Sequence, residues 1–180
     1  MNLKLCGIVV LILLVLGLHM TQPTCGEQAE EPQLKALFVL NFAKLTDWPA
    51  DSRTYGRGFT IAILGKKPSV AFINQLSGQT VHGATTIVKH VDNVRQAKDA
   101  QLLYILDSER SRQAEILKEA GQYTLLTVSD ISGFCEAGGM IGLLPVQNRL
   151  SFEVNLASIR KARLSINSQV LNLAKIIINN

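Results

Sequence analysis

Phe59-Thr60-Ile61-Ala62-Ile63-Leu64, stopped by Gly65, is the stretch on which the fold turns. It is a short apolar run with no polar alternation, which predicts a strand buried on both faces. Downstream the chain switches repeatedly between such runs and helical spacing. Pro68 to Leu76 predicts a short helix closed by Gly78, and Thr85 to His90 is β-branched and predicts a second strand. Asp92 to Ala97 allows a helical turn or two, and Leu102 to Leu106 is a third strand. Ser108 is placed to cap a helix over Glu109 to Ala120 with Gly121 at its end, and Tyr123 to Val128 follows as a strand. Strand alternating with helix is the signature of a sheet covered on both faces.

Beyond Ser129 the pattern changes. Met140 to Val146 and the alternating Leu150 to Val154 predict a hairpin turning near Gln147-Asn148. Leu156 to Ala162 allows a helix. Asn167 or Ser168 could cap a last helix with Leu171, Ala174 and Ile178 on one face. The expected fold class is therefore α/β: a single domain with a central mixed β-sheet flanked by helices, ending in a C-terminal hairpin and helix.

Upstream, Leu34, Leu37, Phe38, Phe42 and Leu45 recur at three- and four-residue spacing, which predicts a helix to about Thr46. Pro32 suits its first turn, and Trp48-Pro49 lies past its end. The stripe Leu34–Phe38–Phe42 is assigned to the core. Val39 and Leu40 lie off it, so this helix carries more apolar surface than one core-facing stripe uses. Val39, Leu40, Trp48 and Pro49 are thus the candidate interface with a second copy or a membrane partner.

Ahead of the domain, Lys4 precedes an apolar stretch from Ile8 to Leu18 and a small-residue exit, Thr24-Cys25-Gly26. That order describes a secretory signal peptide, and the stretch is shorter than the roughly 20 residues of a membrane-spanning helix. Residues 1–26 are expected to be a signal peptide and residues 27–180 the exported domain. A lipid-modified Cys25 is the less favoured alternative, because the preceding Gln22-Pro23-Thr24 lacks the Leu that lipoprotein signals usually carry. The 154 residues left of 180 suffice for one core without disulfides. Eighteen basic against fourteen acidic residues is a mild excess. The clusters Lys66-Lys67 and Arg160-Lys161-Arg163 lack interleaved aromatics, so no nucleic-acid partner is implied.

Catalytic motifs are missing. Gly65-Lys66-Lys67-Pro68-Ser69 follows a strand, but it has no P-loop spacing, and Pro68 removes a backbone donor. There is no Gly-x-Ser-x-Gly elbow. His82 and His90 have no metal-ligand spacing and are expected at the surface, and neither a metal nor a cofactor is implied. Of three cysteines, Cys6 and Cys25 leave with the signal, so Cys135 remains alone as a buried small hydrophobe or a candidate redox thiol. Arg149 and Glu153 share parity along a strand, and with Asp130 and Asn155 they form a candidate structural or ligand-binding polar network.

Three ordered blocks resemble the YfiR-like family of periplasmic proteins. They are Lys35 to Lys44 with Trp48-Pro49; Leu125 to Asp130 with Gly133-Phe134 and Gly138-Gly139-Met140-Ile141; and Asn148 to Leu156. The stretch Ala162 to Ile177 extends the likeness. The resemblance implies an α/β domain that regulates without catalysing, the best-known member restraining an inner-membrane diguanylate cyclase through that enzyme's periplasmic part. It also implies dimers and disulfide-based redox response. This sequence departs there: Ile141 and Gly142 stand near where relatives carry a cysteine partner, and Ala62 and Leu103 lie in strands that lack the second pair. The expected function is a periplasmic signalling regulator that binds an inner-membrane sensor protein, with a small-molecule-binding periplasmic protein as the alternative.

Overall fold

A computed structural model describes residues 27–50, 58–146 and 149–179. The signal-peptide assignment, most of the loop expected over Ala50 to Gly58 and the turn at Gln147-Asn148 lie outside them.

The first helix, α1, spans Glu27–Lys44. It starts earlier than expected, and Pro32 lies inside it rather than at its first position. Strands follow at Thr46–Asp47 (β1) and Phe59–Leu64 (β2), then α2 at Val70–Leu76. Thr80–Val81 (β3) and Ala84–Val91 (β4) form an antiparallel hairpin whose turn, His82-Gly83, has positive φ at both residues. Leu102–Ile105 (β5) leads through a 3-10 segment, Asp107–Arg112, into α3 at Gln113–Ala120. Leu126–Ser129 (β6) is followed by the hairpin Ile141–Val146 (β7) and Arg149–Asn155 (β8). The chain closes with α4 at Leu156–Lys161, β9 at Ser165–Ile166, α5 at Ser168–Leu173 and β10 at Ile176–Ile178.

The main sheet runs in the order β10-β8-β7-β6-β5-β2-β4-β3. Strands β4, β2, β5, β6 and β7 are parallel; β8 is antiparallel to β7, which makes the sheet mixed. All six residues of β2 are buried, as its unbroken apolar run requires. One core lies between the sheet and α1 with α2, the other between the sheet and α3.

Two local expectations change. Ser108 does not cap α3; a 3-10 turn intervenes, and the Ser108 hydroxyl instead accepts the Lys66 N–H at 2.8 Å. Ile178 is not on the last helix, because the chain turns extended at Ala174 and Ile176–Ile178 pairs with Glu153–Asn155. His82 is exposed, as expected, and its ring is also engaged. Its Nε2 stands 3.1 Å from the Ala43 carbonyl in the last turn of α1 and 2.9 Å from that of Thr46 in β1, and donates to them.

Candidate functional site

The apolar excess of α1 is absorbed within the chain. Val39 is 0% exposed and Leu40 4%, and both belong to the core shared with α2, Leu164 and Val170. This corrects the assignment of Val39 and Leu40 to an outward face. Side chains that the single chain already covers are not on offer to a partner. The outward apolar residues of α1 are Leu34 at 40% and Leu37 at 45%, the former taken from the stripe expected to face inward. Trp48 is buried too. Its ring meets Phe59 edge-on at 5.3 Å, and its Nε1–H donates to the Gln101 carbonyl at 3.1 Å. Beside it, Pro49 is half-buried.

The polar network divides into two clusters. In the first, β8 presents Glu153 and Asn155 to the connection between β6 and β7. Glu153 Oε1 accepts the Cys135 N–H at 3.1 Å. Asn155 works in both directions: its amide donates to the Cys135 carbonyl at 2.9 Å, and its Oδ1 accepts the Ser158 N–H at 2.9 Å and so caps α4. The Ser158 hydroxyl donates to the Gly138 carbonyl. Gly142 is the cross-strand partner of Glu153, and a Cβ there would come within 2.6 Å of Glu153 Oε1. The glycine lets the carboxylate fold across the strand to reach Cys135.

In the second cluster, Lys35 on α1 holds Asp130 at 2.6 Å and Glu31 at 2.8 Å. Asp130 stands directly after β6, and Tyr104 on β5 lies beside its carboxylate. Lys35 and Tyr104 escaped the sequence reading. The signal for Lys35 was available, as a lysine one turn after Glu31 that interrupts an apolar helix. Arg149 joins neither cluster. It is exposed at the outer end of β8, about 13 Å along the strand from Glu153.

Burial governs the protonation of three groups in these clusters. Burial pushes the Cys135 thiol far up, and the Glu153 carboxylate pushes it further. A fully buried, protonated thiol is neither a nucleophile nor an accessible redox partner. Burial also raises the Tyr104 phenol, aided by the Asp130 charge. Burial alone would lower the Lys35 ammonium, but its hydrogen bonds to Asp130 and Glu31 outweigh that and raise it.

All three groups therefore hold more protons folded than unfolded at alkaline pH. Their contribution is complete below the unfolded values, about 8.5 for the thiol and about 10 for the phenol, and falls progressively as pH rises above these toward the raised folded values. Urea unfolding from neutral pH to about pH 10.5 is expected to show falling stability, with a limiting slope of about 1.4 kcal/mol per pH unit for each group. Cys135→Ala should remove the earliest part of that fall. An unchanged pH profile in this variant would refute the role given to the thiol.

Among the described residues, no three His, Cys, Asp or Glu side chains converge as metal ligands, and no helix is long and apolar enough to cross a membrane. The YfiR/HmsC-like family matches residues 32–175. The fold also resembles the crystal structure of a conserved domain protein from Vibrio cholerae O1 biovar El Tor, with a TM-score of 0.56 at 11% identity. The likeness covers 82% of this chain and 60% of that one, and at such identity it concerns the fold alone. No curated protein matches the chain.

Proposed function

The chain belongs to the YfiR/HmsC-like family, and from that premise we propose that it is a periplasmic, non-catalytic regulator in cyclic-di-GMP signalling. It restrains an inner-membrane sensor enzyme, such as a diguanylate cyclase, by binding that enzyme's periplasmic part. The observation that carries this reading is the extent of the family match, residues 32–175, which takes in nearly the whole folded domain.

The roles of the shared motif residues support it. Ser129, Phe134, Gly139, Glu153 and Asn155 are all buried, and the carboxylate and amide among them hold a loop in place. Polar motif residues used to hold a loop accord with a protein that works through its surface. That surface includes the outward face of α1, where Leu34 and Leu37 flank the Lys35–Glu31 pair. It takes the place of Val39 and Leu40 as the face for a membrane partner or a second copy.

Deleting the gene is expected to raise cellular cyclic-di-GMP, and supplying the exported wild-type chain should restore it. The Leu34→Glu/Leu37→Glu variant should stay folded, since changes at exposed positions usually cost within about 0.5 kcal/mol. It should fail to restore the pool. An unchanged pool on deletion would overturn the function, and full restoration by the variant would move the contact surface elsewhere.

A further inference from the structure

The parallel strands run in the order β4-β2-β5-β6-β7. The chain leaves β2 toward α2, whose Phe72 and Leu76 lie in the core on the α1 side, and continues to β4 on one flank. It leaves β5 toward α3, whose Ile116 and Ala120 lie in the opposite core, and continues to β6 on the other flank. Connections from these neighbours part in opposite directions at their carboxyl ends. In open α/β sheets that divergence opens the crevice in which ligands bind.

The groups placed there are Gly65-Lys66-Lys67 after β2, Leu106 to Ser108 after β5, and His90 near the end of β4. Gly65 has a φ of 125°, and a Cβ on it would come within 2.7 Å of both Leu106 Cβ and Ser108 Oγ. The Gly65 backbone thus lies directly against the Leu106 and Ser108 side chains. Lys66 N–H donates to Ser108 Oγ at 2.8 Å, and His90 Nε2 stands 2.6 Å from the Gly65 carbonyl and donates to it. These bonds anchor the segment that carries Lys66 and Lys67. Both lysines are exposed, and neither has a carboxylate partner among the described residues. Asp107, the nearby acid, is engaged by Arg110.

We infer that this end of the sheet binds a small phosphate-bearing molecule. Two uncompensated ammonium groups on an anchored loop supply the charge, each acting as a compact point charge. Ser108 accepts from Lys66 and keeps its own O–H to donate to a phosphate oxygen. Pro68 denies the loop one amide, so side chains rather than a backbone cradle carry the recognition. The site stands apart from the regulatory reading and can fail without it.

Amide NMR on the purified protein, titrated with inorganic pyrophosphate at low ionic strength, tests this. Saturable shifts are expected at Gly65 to Lys67, His90 and Ser108. Lys66→Ala/Lys67→Ala should weaken binding about tenfold or more with an unchanged Tm. Lys98→Ala/Lys161→Ala, which removes equal charge from exposed positions elsewhere, should leave it unaltered. Shifts that do not saturate, or an equal loss in both double variants, would reduce the effect to general screening and overturn the site. Binding to phosphatidylglycerol vesicles with none to pyrophosphate or a nucleoside monophosphate would overturn it in favour of a membrane surface.

Discussion

Gly139→Ala is expected to lower the stability of this domain by at least about 3 kcal/mol, at or beyond the usual upper end for overpacking. A Cβ at Gly139 would come within 2.3 Å of two Phe134 ring carbons and 2.6 Å of a third. Carbon atoms rest at about 3.5–4.0 Å, so more than 1 Å must be found. The ring cannot supply it by swinging into solvent, because Phe134 is 0% exposed in the core beneath α3. The backbone cannot yield freely either, since Gly139 N–H is bonded to the Phe134 carbonyl at 2.9 Å. In a domain of this length the loss corresponds to a fall in Tm of roughly 6–12 °C. Gly138→Ala is the informative contrast. Gly138 has a φ of 101° with open space around it, so its penalty is backbone strain of about 1–2 kcal/mol and no clash. Phe134→Leu combined with Gly139→Ala should recover part of the loss, as contacting residues do. A Tm for Gly139→Ala within about 2 °C of wild type would refute this packing.

Phe152→Ala is expected to cost about 3–5 kcal/mol, a large share of the 5–15 kcal/mol that holds a domain together. Phe152 sits in β8 opposite Leu143 and is buried. Its ring meets Phe42 at 5.0 Å and Phe38 at 5.9 Å, both edge-on, and those two rings meet each other at 6.0 Å. The three rings dock α1 onto the sheet. Phe152→Ala removes the only strand-borne ring of the three, and the loss should show as a lowered urea midpoint and faster hydrogen exchange along α1. Phe152→Leu keeps most of the volume and should cost less than half as much. A loss below about 1 kcal/mol for the alanine variant would mean that α1 is held by other contacts.

Much of the sheet was legible because its signals are local. The run from Phe59 to Leu64 is apolar at every position but Thr60, short, β-branched and stopped by Gly65, which is the pattern of a strand covered on both faces. The hairpin of β7 and β8 announced itself by two apolar segments around a turn, and Asn167 by its capping chemistry. The class of fold, its mixed sheet and the family resemblance all follow from patterns of this range.

What the sequence left open concerns partners far apart in the chain. The apolar periodicity of α1 showed that the helix is buried on several sides but not by what. The tertiary structure answers with α2 alongside and with Leu164 and Val170 brought over by the pairing of β9 with β1, so Val39 and Leu40 face inward and Leu34 and Leu37 outward. Strand parity placed Arg149 and Glu153 on one face, yet a carboxylate settles where an unpaired donor awaits it, and for Glu153 that donor is the Cys135 amide eighteen residues upstream. Ile176–Ile178 could serve a helix or a strand equally; the open edge of β8 decided for the strand. By itself the sequence determined which segments bury apolar surface and with what period. The choice of neighbour for each buried face and each polar group was decided only by the assembled fold, because burial and hydrogen-bond satisfaction depend on distances that no local pattern encodes.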